Sequence, residues 1–537
     1  MVAQSLTDLP SLAPAPDETE TLVPPVVILR DRRQVELRQA YALPEAGGTL
    51  DYVVEFFLFL PRAMGVTPAT YPKADFYTDA HVYTRLDAPG RSLRELGDLN
   101  DERSPLAKVH AVLPRLLEAR APATEPLVSL VQLHAHELSE AVVTATLTAA
   151  RDARTGTPEG PAAFERDVER LLDDADGALV AIRQVRAEAE AFGVLCHPGL
   201  QKALGFAEEY VSAVLDEQVA LLSDAVRDSR HLRDGEGTAV RVLLRLGRFA
   251  VEESRLRLEA GYALPWDEPR EYFAYRLGLL KKALQQALYL NTREARGEEY
   301  IRDSAAMVAA GLAATWAFLA QIPMLNAGAM NTSTYLVLLA SAVGAYMLKD
   351  RIKEWTRNWL MRRLRLNDYS RRIVADALRR FGLDGLHGRA RERVRYLHAD
   401  EVDDDIRAVR LLHRSVMGVG VELEDVLHYR RQLTLTADEK ATVPPGFGIR
   451  EILRLNTTAL TRRLDDPLDE VAYYDAPSGQ FRRAHLPKVY HANLIVRVSA
   501  RHAPYAWVVR HRVVLNQDGL VRVEPVVTQK CARPDAR

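Results

Sequence analysis

Two histidines and two glutamates lie close together in a segment with helical spacing: His134, His136, Glu137 and Glu140. On a helix, His136 and Glu140 lie on the same face because they are four residues apart. Imidazole and carboxylate groups can hold zinc or iron, so these four residues are the candidate metal ligands. They lack the HExxH spacing and a second cluster that would complete the ligand shell. A solvated or partly buried polar face is therefore the competing interpretation.

A run of acids forms a second candidate cluster: Asp400, Glu401, Asp403, Asp404 and Asp405. Hard cations such as magnesium bind clustered carboxylates. The segments on either side of the run are rich in arginine, and this arrangement indicates ion pairs within and between helices as the simpler explanation.

Catalytic and cofactor motifs are missing from the sequence. Gly446-Phe447-Gly448 and Gly418-Val419-Gly420 are isolated GxG pieces without the further glycine or the GK[ST] of a phosphate-binding loop. The GxSxG, HExxH and protein-kinase patterns do not occur either. The sequence therefore predicts no cofactor and no catalytic residue, and a non-enzymatic role is favoured over an enzymatic one.

Composition sets broad limits on the class of protein. The chain has 537 residues, a net charge of −2 and 27% charged residues, which predicts two to four folding units and no nucleic-acid partner. Its two cysteines, Cys196 and Cys531, are too few and too far apart for a disulfide framework. This cysteine usage is typical of a reducing compartment.

The segment Ser304–Leu348 contains 45 consecutive residues without Asp, Glu, Lys or Arg. It divides into two apolar stretches, Ser304–Ile322 and Thr332–Leu348, each near the length that crosses a bilayer as a helix. Pro323–Asn331 supplies turn residues between them. The sequence predicts a two-helix transmembrane hairpin at residues 304–348, and the alternative is a buried hairpin in a large helical domain.

The flanks of this segment are basic, whereas the loop between the stretches carries no charge. Basic flanks stay on the cytoplasmic side, so we expect an integral protein of the cytoplasmic membrane, as in a bacterial inner membrane, with both termini cytoplasmic. The helix that follows should bind anionic lipid. Its predicted interface residues are basic or tryptophan: Lys349, Arg351, Lys353, Trp355, Arg357, Trp359, Arg362 and Arg363.

The part before the hairpin divides into three predicted units. Residues 1–25 are expected to be disordered, and residues 26–100 to form a small α+β domain with a strand at Asp51–Leu60. Residues 101–303 are expected to form a helical, coiled-coil stalk. Apolar residues recur there at alternating steps of three and four from Phe164 to Phe192, and again from Leu200 to Ala225, which predicts a long antiparallel helical hairpin.

The part after the hairpin divides into two predicted units. Residues 349–420 are expected to form basic juxtamembrane helices, including the charge-dense Arg389–Arg410. Residues 421–537 are expected to form an antiparallel β domain, because strand-like runs such as Val489–Ser499 and Ala506–Leu515 alternate with turns. The predicted fold class is mainly α with small β-containing modules.

These features together predict a membrane-anchored cytoplasmic scaffold or sensor. Its partners would be the lipid bilayer, proteins bound by the helical stalk and the β modules, and a second copy bound through the helical seams. The alternative is a membrane-bound, metal-dependent hydrolase that uses His134, His136 and Glu140. A transporter component is a third possibility, and it would require oligomerisation because the predicted spans carry no charge.

Overall fold

The computed structural model describes most of the chain. The described residues are 22–118, 125–157, 159–191, 198–233, 237–266, 269–290, 292–294, 297–325, 332–363, 369–373, 381, 383–412, 424–443 and 445–533. The predicted disordered residues 1–21, Cys196 and most of the predicted membrane loop lie outside this part of the chain.

The described strands are β1 Val26–Asp31, β2 Gln34–Ala42, β3 Thr49–Pro61, β4 Ala80–Asp87, β5 Thr292–Glu294, β6 Tyr369–Ile373, β7 Leu386–Leu397, β8 Glu424–Ala437, β9 Gly448–Asn456, β10 Leu468–Asp475, β11 Gln480–Pro487, β12 Tyr490–Ala500, β13 Tyr505–Asn516 and β14 Gly519–Ala532. The described helices are α1 Lys73–Asp79, α2 Leu93–Gly97, α3 Pro105–Glu118, α4 Glu125–Thr155, α5 Pro161–Ala191, α6 Pro198–Asp228, α7 Arg230–Arg233, α8 Thr238–Glu259, α9 Glu271–Gln285, α10 Gly297–Leu325, α11 Thr332–Arg363, α12 Asp404–Leu411 and α13 Thr458–Thr461.

A large antiparallel sheet runs in the order β14-β13-β12-β3-β8-β7-β6-β5. Its central strand β3 comes from the start of the chain and pairs with β8 on one side and β12 on the other. About 50% of the described residues are helical and about 30% are in strands. The predicted fold class, mainly α with small separate β modules, is therefore wrong, because strands from both ends of the chain share one extensive sheet.

A smaller antiparallel sheet, in the order β1-β2-β9-β4, packs against the large one and forms a sandwich. Alternate residues of each strand point into the space between the sheets, where the rings of Tyr41 and Tyr52 lie 4.9 Å apart. The opposite face of the large sheet is covered by α12, whose Ile406 and Val409 pack on Phe57 and Phe59. The ribbon β10-β11 stands apart, and its side chains are almost all exposed.

Strand β7 occupies part of the charge-dense segment for which a helix was predicted. Its buried positions alternate with more exposed ones, so that Ala390 and Val394 lie in the core while Arg391 and Arg395 are exposed. Such a two-residue period is that of a strand. The prediction of a helix there is wrong because arginine density was given more weight than this alternation.

Helices α2 to α9 form a bundle with its own apolar core. The spacing that predicted two long helices is occupied by α5 and α6, and most of its apolar positions are buried inside the chain. Helix α6 packs most extensively against α4. The apolar seams of α5 and α6 are therefore buried by packing within the bundle.

Helices α10 and α11 form an antiparallel pair in the region predicted to cross a membrane. Within the described residues, no helix combines the length and the apolarity needed to span a bilayer. The predicted transmembrane hairpin, the membrane-anchored function and the integral-membrane localisation are therefore wrong. The prediction relied on the absence of charge within residues 304–348, which does not by itself make a helix apolar enough to cross a bilayer. Helices α10 and α11 also extend into charged residues before Ser304 and after Leu348.

The residues predicted at the membrane interface lie on the second half of α11. Trp355 and Trp359 are exposed, by 65% and 62%. Arg351 lies 3.5 Å from Glu354, one turn along the helix, so the basic residues of this segment are interspersed with acids. The side chains of Arg362 and Arg363 lie outside the described part. Binding of anionic lipid by this helix stays a prediction.

Candidate functional site

The four residues predicted as metal ligands lie on α4, between the bundle and the small sheet. Consecutive helical residues are separated by 100°, so His134 and His136 point to nearly opposite sides. His134 and Glu137 lie near Arg91, whereas His136 and Glu140 lie near Arg85. The structure therefore divides the predicted set into two clusters.

The first cluster is closed by an ion pair between Arg91 and Glu137. Burial raises the pKa of Glu137 to about 7 even though Arg91 opposes this shift. Neither ring nitrogen of His134 has a hydrogen-bond partner among the described residues, and burial lowers its pKa to about 3. This cluster joins α4 to the loop before α2 and is almost sealed from solvent.

The second cluster is built on the outer face of the small sheet. Arg85 of β4 is the register partner of Arg450 of β9, so the two guanidinium groups project from the same face. We call the group Arg85, Arg450, Asp87, His136, Glu140 and Lys281 the Arg85 site, because all of these side chains interact electrostatically with Arg85 or His136.

The two arginines of the site differ in their partners. A nitrogen of Arg450 lies 2.7 Å from a carboxylate oxygen of Asp87. Arg85 is only 8% exposed, and within the described part of the chain its side chain makes no ion pair or hydrogen bond; its Nε is fully buried without an acceptor. Asp87 and Glu140 lie near enough to favour its charge but do not contact it. Arg85 is thus a buried cation without a direct counter-charge.

The electrostatics of the site are those of a positive enclosure. Burial and the neighbouring Arg450 lower the pKa of Arg85. Burial, followed by the charges of Arg85 and Arg450, lowers the pKa of His136 to about 3, so its ring is neutral near pH 7. Its Nδ1 is buried and has no hydrogen-bond partner among the described residues. An anion placed here would relieve the repulsion among these groups.

Hydrogen bonds connect α4 to the small sheet through α9 and the segment that follows it. The side-chain nitrogen of Gln132 on α4 donates to the carbonyl of Ala283 on α9, at 2.8 Å. A 3-10 turn at Gln286–Leu288 follows α9, and the backbone nitrogen of Leu290 then donates to the carbonyl of Thr84, at 2.8 Å. The Arg85 site therefore lies on regular elements that are tied to each other rather than on a long loop.

A buried arginine elsewhere in the sandwich provides a comparison. Arg431 of β8 forms ion pairs with Glu392 of β7 and Glu451 of β9, and Tyr41 donates a hydrogen bond to Glu451 at 3.1 Å. These groups join the two sheets and neutralise each other. Arg431 shows how this fold pairs a structural buried arginine, and Arg85 lacks such partners.

Two of the five acids in the acid run, Asp403 and Asp405, form ion pairs with the large sheet. Asp403 and Asp405 both contact Arg497 of β12, at 2.6 and 3.1 Å. Arg497 also contacts Glu55 of β3 at 2.7 Å. Burial, which alone would raise the pKa of Glu55, is outweighed by the neighbouring His428 and Arg497, and the pKa falls to about 2. These acids therefore attach α12 to the large sheet.

Among the described residues, no group of three or more His, Cys, Asp and Glu side chains is arranged to hold a metal ion. His134 and His136 cannot serve one ion because α4 turns them to different sides. The metal-dependent use of His134, His136, Glu137 and Glu140 thus has no geometric support, and the alternative of a membrane-bound hydrolase shares the correction made above.

Sequence reasoning identified His136 and Glu140 but missed Arg85, Arg450 and Asp87. The two arginines are 365 positions apart, and each reads as an ordinary strand residue. Only the pairing of β4 with β9 brings them side by side. A charged residue at a buried position of a strand would have been a useful signal. The alternation of residues along a single strand does not show whether such a residue is buried or exposed.

Comparisons with known proteins supply no relative for this chain. No family model, curated protein or solved structure matches it.

Proposed function

We propose that the protein is a receptor for a small oxyanion, such as a phosphate group, bound at the Arg85 site between α4 and the small sheet. The observation that carries this proposal is the buried guanidinium of Arg85, which has no counter-charge in contact with it. Ligand recognition rather than catalysis is proposed because the site offers cations and a neutral imidazole but no activated nucleophile.

The net positive charge of the site favours an anion. Arg85, Arg450 and Lys281 supply three positive charges against the two negative charges of Asp87 and Glu140. Protonation of His136 on binding would add another positive charge. A guanidinium group is a planar fork that binds two oxygens of a phosphate or carboxylate at once, which suits Arg85 to be the principal contact.

Burial of the Arg85 guanidinium without a partner is energetically costly. A buried charge without a partner destabilises a fold by several kcal/mol after relaxation. Arg431 shows that this fold can place two carboxylates around a buried arginine. An anionic ligand would supply the counter-charge that no described residue brings into contact with Arg85.

Isothermal titration calorimetry of the full chain with inorganic phosphate, at constant ionic strength, tests the proposal. The unmodified protein should bind one phosphate per chain. Arg85→Met should weaken binding by about 10- to 100-fold, because a hydrogen bond to a charged group contributes roughly 1.5–3 kcal/mol.

Arg454→Met is the matched control. Arg454 projects from the same face of β9, but it already contacts Glu36 at 2.8 Å and should not contribute to the ligand. The phosphate affinity of the Arg454→Met variant should stay within about twofold of that of the unmodified protein. This change is well below the effect of one charged hydrogen bond. Absence of phosphate binding by the unmodified protein, or equal losses in both variants, would overturn the proposal.

A further inference from the structure

The pair of helices α10 and α11 exposes an unusually apolar surface. Sixteen large apolar side chains between Met307 and Trp359 are 38–69% exposed, including Phe318 at 63% and Val337 at 69%. Helix α10 packs chiefly against α11, and neither makes a comparably extensive contact with another described element. The two helices thus present most of their outer surface to the surroundings.

The inner contact between the two helices is already closed. Ala309 and Ala313 of α10 are 0% and 2% exposed. Small side chains at this four-residue spacing let the helices approach closely. The pair is therefore a packed unit, and its exposed apolar groups cannot be buried by closing it further.

The exposed area matches the requirement of a stable interface. Half of an aromatic side chain that buries 150–250 Å² corresponds to about 100 Å², and a half-exposed aliphatic side chain exposes about half as much. Five of the sixteen side chains are aromatic, so together the sixteen expose on the order of 1,000 Å², whereas the largest apolar patch of a monomeric protein is about 300–600 Å². The pair as a whole therefore exposes about the roughly 800 Å² that each partner contributes to a standard protein interface.

We infer that this surface binds the same surface of a second copy of the chain, so that two α10–α11 pairs form a four-helix bundle between subunits. A face that meets itself across a two-fold axis must not repel itself, and residues 304–348 contain no charged side chain. From residue 349 to residue 363 six basic residues outnumber two acidic ones, so the proposed contact is confined to the uncharged part of the pair. The proposed contact between subunits is therefore made by α10 and α11 and does not involve the seams of α5 and α6, which are buried within one chain.

Sedimentation equilibrium of the full chain between about 0.5 and 50 µM, the range expected for a standard-size interface, tests this inference. The chain mass is 60.1 kDa, and the unmodified protein should sediment with twice this mass. Phe318→Glu and Val337→Glu should each weaken dimerisation at least 100-fold, because a charge would be buried without a partner in the bundle.

Val251→Glu is the matched control, because Val251 on α8 is 71% exposed but lies outside this pair. It should leave the dimer intact. Far-UV circular dichroism and urea denaturation of each variant show whether its fold is retained. A monomeric unmodified protein at every concentration, a dimer that persists in both glutamate variants, or a monomer that floats with phosphatidylcholine vesicles would overturn the inference.

Discussion

Replacement of Arg85 by methionine should stabilise the ligand-free protein while it weakens phosphate binding. Methionine retains much of the aliphatic length of arginine but carries no charge to desolvate. Arg85 is 8% exposed, lies beside Arg450 and has no carboxylate in contact with it. The variant therefore removes a destabilising charge instead of breaking an ion pair.

The expected magnitude follows from these surroundings. Desolvation of a buried ion costs several kcal/mol, and substitution of buried ionic groups by apolar ones has stabilised proteins by about 1–4 kcal/mol. Asp87 and Glu140 offset part of the cost without contacting Arg85. We therefore expect the free energy of unfolding of Arg85→Met to exceed that of the unmodified protein by about 1–3 kcal/mol in phosphate-free buffer.

Urea denaturation with and without inorganic phosphate measures both effects. At a phosphate concentration 100 times its Kd, a ligand that binds only the folded state adds about 2.7 kcal/mol of stability. The unmodified protein should gain this amount, whereas a variant that binds phosphate 10- to 100-fold more weakly should gain only about 0.4–1.4 kcal/mol. Its stability advantage should therefore shrink by about 1.3–2.3 kcal/mol when phosphate is added. Arg454→Met should gain as much stability from phosphate as the unmodified protein, because Arg454 is paired with Glu36 and does not contact the ligand.

Two results would refute this reasoning. The first is a free energy of unfolding of Arg85→Met that lies more than about 1 kcal/mol below that of the unmodified protein in phosphate-free buffer. Such a loss would show that Arg85 stabilises the fold without a ligand. The second is equal stabilisation by phosphate in the variant and the unmodified protein, which would place any bound anion elsewhere.

Three further changes test the surrounding structure. Arg431→Met should lower the free energy of unfolding by about 3–5 kcal/mol, as measured by urea denaturation, because two buried carboxylates lose their partner. The pKa of His136 is lower in the folded protein than in the unfolded chain, so acid favours unfolding and stability should decline as the pH falls from 6.5 towards 3. His136→Gln should remove about 2 kcal/mol of this decline at pH 5 in pH-dependent denaturation. Gly97→Ala should lower the melting temperature through a loss of about 1–3 kcal/mol, because its Cβ would lie 3.1 Å from a backbone nitrogen of α5, whereas Gly177→Ala meets open space and should gain up to about 1 kcal/mol.

Local patterns in the sequence predicted local structure. The β-branched and aromatic run Asp51–Leu60 lies in β3, and the three- and four-residue steps after Phe164 lie in α5. Both patterns are set by which side of a single element is buried. The run of strands after Val489 was likewise visible, because alternation and turn residues are short-range signals.

Features that depend on distant partners were not predictable in the same way. The central position of β3 requires β8 and β12, which lie more than 360 residues later. The importance of Arg85 likewise depends on its register with Arg450 and on the position of α4, which brings no described carboxylate into contact with it. The membrane prediction failed because absence of charge was taken as evidence of sufficient apolarity. A helix without charged residues is not necessarily apolar enough to cross a bilayer.

The central position of β3 has a consequence for the time course of synthesis. This strand leaves the ribosome early, but its partner β8 begins 363 residues after β3 ends. At about 5–20 residues per second, β3 remains without its neighbours for roughly 20–70 s. Its run Phe56-Phe57-Leu58-Phe59-Leu60 is uncharged and has the composition of segments that pair with other chains when exposed. Nascent chains therefore need protection of this strand until the C-terminal strands arrive, and premature termination before β8 should direct the product to aggregation.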